Sequence, residues 1–114
     1  DKKYSDVIRH IKTTHNASRS KVQSKFWMSA NRAALIIDAI ETAGIIGAIN
    51  DHTIYDDPTY DDVVKFVIKT RSVSAKVIQH VFSLNTHRTK IIFDAMEAVG
   101  VISENRGGKR FILV

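Results

Sequence analysis

The chain has 114 residues, no cysteine, 17 Lys and Arg against 12 Asp and Glu, and a pI near 9.6. Disulfide frameworks and thiolate metal sites are therefore excluded, the apolar runs fall well short of the ~18 residues of a membrane span, and no signal peptide is visible. A hydrophobic content of 44% is that of an ordinary globular protein, and the formal charge of +5 points to a polyanionic partner. The expected setting is the cytoplasm, in association with the nucleoid, and Asn16-Ala17-Ser18 is taken as a chance glycosylation sequon. The first residue is not Met, as in a piece cut from a longer chain.

In chain order, residues 4–14 read as a first helix with Tyr4, Val7, Ile8 and Ile11 on one face. An extended step at 15–17 follows, and Ser18 caps a second helix over 19–26 with Val22 and Phe26 inward. Trp27-Met28 form a tight turn, in which Trp27 is expected to serve packing rather than base stacking. The third helix lies between a cap at Ser29 and Gly44, about 14 residues or roughly 21 Å. Its buried stripe is Ala33, Ile36, Ile37, Ile40 and Ala43, and its other face carries Asn31, Ala34, Leu35 and Asp38. Residues 45–49 and 53–55 read as two strands joined by a hairpin tip, Asn50-Asp51-His52.

Sliding the sequence on itself by 56 residues aligns residues 4–58 with 60–114 without a gap. Fourteen positions are identical, among them Tyr4/Tyr60, Phe26/Phe82, Arg32/Arg88, Ile36/Ile92, Asp38/Asp94, Glu41/Glu97 and Gly44/Gly100. Such self-similarity means one fold unit used twice. The second copy starts at Pro58-Thr59, with Thr59 and Asp62 as a capping box. Its helices are expected at 60–70, 75–82 and 86–99. The last has Thr89, Ile92, Phe93, Met96 and Val99 inward, and His87, Lys90, Ile91 and Asp94 outward. Strands at 101–105 and 110–114 flank the tip 106–109. The fold expected is mainly α with small β-hairpins: two tandem winged helix-turn-helix units, residues 1–58 and 59–114, in a nearly fixed orientation. The first holds eight basic and seven acidic side chains, the second nine and five.

Lys25-Phe26, Asn31-Arg32-Ala33-Ala34, Ile37-Asp38, Ile40-Glu41 and Gly44-Ile45-Ile46 resemble the gamma domain of the FtsK/SpoIIIE DNA translocases. The second copy resembles it through Phe82, Arg88, Ile92, Asp94, Met96-Glu97 and Gly100-Val101-Ile102. The resemblance implies a winged helix that reads short polar DNA sequences and orients a motor, and that also contacts a tyrosine recombinase. The family's reading helix carries an Asn, an Arg one turn later and a Glu beyond. Asn31 matches the first, Leu35 stands in place of the Arg, and Asp38 replaces the Glu. The second copy has His87, Ile91 and Asp94 there. Loss of the arginine in both copies argues against a G-rich target, because Arg bidentate to guanine is the commonest specific contact. No GxxxxGK[ST] phosphate loop is present, so the motor is not in this stretch.

A helix with a packed back and a mixed polar front suits the major groove. The expected base-reading residues are Asn31, Leu35, Asp38, His87, Lys90, Ile91 and Asp94. Asn pairs with adenine, Asp accepts from a cytosine amine, and Leu or Ile meets a thymine methyl. Arg19, Lys25, Ser29, Arg32, Lys76, Asn85, Thr86 and Arg88 are expected at phosphates, with Arg106, Lys109 and Arg110 of the second wing. The partner expected is double-stranded DNA, with a protein partner through Leu35 and Ile91 as the alternative. The five histidines lack metal-ligand spacing, and no enzyme activity, cofactor, small-molecule substrate or membrane contact is expected.

Overall fold

The computed structural model describes residues 2–114. Its helices are α1 (Lys2–Thr14), α2 (Arg19–Lys25), α3 (Ala30–Thr42), α4 (Pro58–Thr70), α5 (Ala75–Phe82) and α6 (Thr86–Ala98), with a 3-10 helix at His52–Asp56. The N-caps follow the sequence at Ser18, Ser29 and Asn85, and Ser74 caps α5; each accepts a backbone N–H three residues on. α4 differs. Its cap is Asp57, which accepts from the Thr59 N–H, and Pro58 takes the first turn where no N–H is needed.

The repeat extends to the backbone turns. His15 and Arg71 end the first helices in the left-handed region, Trp27 and Ser83 fill the turn before the third, and Gly44 and Gly100 follow it. Met28 and Leu84 both return their N–H groups to the carbonyls of Gln23 and Gln79, closing the same turn in each copy. Of the expected stripes, Ala33, Ile36, Ile37 and Ile40 are buried, as are Thr89, Ile92, Phe93 and Met96. Ala43 is the exposed C-cap of α3, and Val99, which caps α6, is only partly buried.

The copies part after Ile46 and Ile102. In the second, Ser103 N–H bonds the Phe111 carbonyl at 2.7 Å and Leu113 N–H bonds that of Val101 at 2.9 Å. The pairing amounts to two antiparallel bridges, Ile102–Ile112 and Arg106–Lys109, and no continuous sheet forms among the described residues. In the first copy the expected strands and hairpin tip do not occur. Residues 47–49 are irregular and 52–56 wind into the 3-10 helix. Two dipeptide differences between the copies account for this. The tip of the second copy is Gly107-Gly108, both at positive φ, where the first has Asp51-His52. The return segment of the second carries Arg110, which folds onto Glu97, and Phe111, which stays exposed, where the first has Ile54-Tyr55, both buried.

Ile54 and Tyr55 go into a core common to both units. Tyr55 donates its hydroxyl to the Ala95 carbonyl of α6 at 3.0 Å and meets Tyr60 edge-on at 5.1 Å. Asn16, buried, donates to the Tyr55 carbonyl and to Asp61. Ser18 hydrogen-bonds Asp56, Lys21 pairs with Asp61 at 3.0 Å, and Arg88 pairs with Asp57. Gly47 N–H bonds the Ala98 carbonyl at 2.9 Å, and a Cβ on Gly47 would come within 3.2 Å of the Ala98 Cα. One apolar cluster runs through all of this, from Val7 of α1 to Ile102.

Candidate nucleic-acid interface

On α3 the burial of Ala33, Ile36, Ile37 and Ile40 turns the opposite side outward, and Asn31, Leu35 and Asp38 lie there at steps of four and three. Leu35 is 69% exposed, and Asn31 and Arg32 are exposed in the first turn. Asp38 is held by Arg19 of α2, guanidinium to carboxylate at 2.7 Å. Two expected contacts, one for a phosphate and one for a base, are thus a single ion pair. Ser29 accepts from the Arg32 N–H at 3.2 Å and Asn85 from the Arg88 N–H at 2.7 Å, so both serve first as helix caps.

α6 is less open. His87 and Lys90 are exposed, but Ile91 is half-buried. Residues 47–51 of the first copy lie alongside, leaving a groove of about 560 Å³ lined by Ile49, Asn50, Asp51, Lys90, Ile91 and Asp94 among others. Asp94 is paired with Lys90 at 2.9 Å. Arg110 folds back onto Glu97 at 2.7 Å and over the Phe93 ring at 5.6 Å, and Arg88 is engaged by Asp57. Of the cations expected at phosphates, those left outermost are Lys25 on α2, Lys76 on α5, Lys109 on the second wing and Arg106, the last beside Glu104 at 3.1 Å; Thr86 is exposed in the first turn of α6. Lys109 and Arg106 therefore remain at the rim, while Arg88 and Arg110 are built into the fold.

Among the described residues no group of three His, Asp or Glu is placed to hold a metal ion, and no helix is long and apolar enough to cross a membrane.

The sequence pattern of the Ftsk gamma domain matches residues 1–53 and again residues 55–114. The chain belongs to that family, in two tandem copies. Similar proteins include the DNA translocase FtsK of Haemophilus influenzae, 44% identical over 57 residues, which are 50% of this chain and 11% of that protein. The DNA translocase FtsK of Haemophilus ducreyi is 45% identical over 58 residues, 50% of this chain and 6% of its own length. That of Halalkalibacterium halodurans is 38% identical over 60 residues, 52% and 8%. The chain thus spans about a tenth or less of these relatives. No solved structure matches.

Within this tandem gamma-domain chain one residue stands against the sequence expectation. Trp27 packs on nothing: it is 91% exposed, with φ of +53°. A bulky side chain there costs about 1–2 kcal/mol relative to glycine and buries no surface in return. The signal lay in the repeat, which sets a tryptophan opposite Ser83 at a turn of the same shape.

Proposed function

We infer that the chain is a double-stranded-DNA-binding module of two units, residues 1–58 and 59–114, serving DNA segregation, replication or transcription control. The observation that carries this is the open face of α3: Asn31 and Leu35 point outward, and Arg19 neutralises Asp38 so that it can approach a phosphate-lined groove. Family membership, relatives named as DNA translocases and the +5 charge agree with it. The copies divide the work. α3 supplies most of the base reading. α6, bordered by residues 47–51, offers His87 and Lys90 at its N-terminal half, and Lys109 and Arg106 add sequence-independent affinity.

Anisotropy of a labelled random duplex at about 50 and 200 mM salt tests the reading. Six to eight phosphate contacts give a slope of log K on log salt of roughly −5 to −7. The exposure of Leu35 favours a second reading, a protein-interaction adaptor for a recombinase or another partner. An adaptor gives no binding at low salt and no slope.

A further inference from the structure

Resting on the DNA-binding reading, we propose that Trp27 is a DNA contact of the first unit: its ring lies against the sugar–phosphate strand bordering the groove that α3 enters, with the indole N–H given to a phosphate oxygen.

The position is unusual for its residue. Trp27 sits two places before Ser29, the N-cap of α3, in the turn that joins α2 to the reading helix. That turn needs a left-handed residue, and Ser83 meets the same need in the second copy with φ of +54°. The conformation thus does not require an aromatic, and the ring makes no packing contact that would explain one. The sole tryptophan of the chain is also the most exposed of its large apolar side chains. What remains is a contact made outside the molecule, for which an amphipathic ring with a single N–H donor is suited.

The surroundings identify the partner. No Asp or Glu occurs between Asp6 and Asp38, whereas six Lys and Arg do; of these Arg9, Arg19 and Lys21 pair with Asp6, Asp38 and Asp61, and Lys12 and Lys25 are exposed. Lys3 reaches the same turn, its Nζ 3.3 Å from the Phe26 carbonyl, and Lys25 is exposed two residues away. An apolar ring on a net-positive stretch, with Lys25 exposed beside it, fits a polyanion with an apolar component, which is a deoxyribose–phosphate chain, better than a neutral protein surface. The turn before a reading helix lies at the groove edge when that helix is inserted, so the ring meets sugar and phosphate and not the base edges.

Because Trp27 is the only tryptophan, its emission reports on this contact alone. Duplex is titrated into the protein at low salt while anisotropy of the same labelled duplex reports binding independently. The expected result is loss of acrylamide quenching and a blue shift of emission, with the midpoint given by anisotropy. Trp27→Ser, which installs the residue of the second copy, is expected to weaken binding about tenfold, the scale of a ring contact with nucleic acid. The loss should be equal on all duplexes and leave the salt slope unchanged, since no charge and no base contact is removed. Circular dichroism of Trp27→Ser should match the parent. Trp27→Phe, which keeps a ring and drops the N–H, should fall between. Binding by anisotropy with tryptophan still fully quenchable overturns this assignment, leaves the DNA reading intact and turns Trp27 toward a protein partner. A loss that varies with duplex sequence overturns the sugar–phosphate placement. No binding by anisotropy overturns both.

Discussion

A carboxylate on a surface that meets phosphates is repelled unless something cancels its charge. At Asp38 the cancelling group is Arg19, 2.7 Å away on the neighbouring helix, and at Asp94 it is Lys90, one turn back on α6. Each pair is exposed and adds little to stability. On the DNA-binding reading their consequence is for recognition, because an aspartate held in place can accept from a cytosine amine without drawing a net penalty. In duplexes selected from a random pool, Asn31→Ala with Asp38→Ala should relax preference at two base positions, with about 1–3 kcal/mol of discrimination lost per base. Lys109→Ala should weaken every sequence alike and reduce the salt slope by about 1. Unchanged preference in the double variant would remove α3 from the reading role. His10 provides a second residue-scale prediction. It packs edge-on against Phe26 at 5.7 Å, where the second copy sets Phe66 against Phe82 at 5.6 Å. Burial first, then Lys25 and Lys21, holds the His10 pKa below 6.5, with Asp6, Arg9, His15, Asp61 and Lys65 also bordering it. The unfolded chain then binds the proton more readily than the folded one. Stability from this group is present above pH 6.5 and is lost as pH falls through the lowered folded value. His10→Phe should make the fall in urea midpoint between about pH 7.5 and pH 5 shallower than in the parent.

At the scale of the element, the segment after Gly44 departs most from expectation, and Tyr55 tests why. As a surface strand residue it would tolerate Tyr55→Ala within about 0.5 kcal/mol. Buried within the 3-10 helix against α4 and α6, it should instead cost about 3–5 kcal/mol, and Tyr55→Phe, which drops only the bond to Ala95, about 1 kcal/mol. Urea midpoints of the three proteins decide between them. The six helices were legible from local signals: a period of three and four throughout, a capping Ser or Asn before α2, α3, α5 and α6, and a glycine beyond the ends of α3 and α6. The fate of Ile54 and Tyr55 was not, because an apolar pair after a turn reads as a strand until a neighbouring unit offers it somewhere to go. The same holds for Arg88 and Arg110. Their periodicity gives them a surface position, and only the fold shows that Asp57 and Glu97 hold them there. Asn31, Leu35 and Asp38 were legible, since the stripe that buries one side of a helix exposes the other. Ile91 was less so, because residues 47–51 come from 40 positions earlier in the chain to border it.

For the whole molecule, on the DNA-binding reading, the junction sets what can be recognised. Asn16 and Lys21 of the first unit bond Asp61 of the second, Tyr55 donates to the Ala95 carbonyl, Asp57 pairs with Arg88, and Gly47 closes the end of α6, so the units share one core. Two helices carried on such a body cannot adjust their spacing to suit the DNA. The body is 41 Å along its longest axis, which covers roughly 12 base pairs at 3.4 Å per step. Half-sites one helical turn apart need about 34–36 Å between reading helices, centre to centre, and the centres of two units within 41 Å lie nearer to half that. The chain should therefore select one contiguous, asymmetric site of at most about 12 base pairs, with the two units on abutting segments in the same orientation. Hydroxyl-radical footprinting of a selected duplex at one protein per DNA would show this as a single uninterrupted protection. A palindrome, or two protected blocks separated by a full turn, would mean either that the junction opens on DNA or that two chains bind together. Tyr55→Ala separates these alternatives. Weakening the shared core should change the footprint if one chain spans the site, and leave the spacing of the blocks untouched if two chains do.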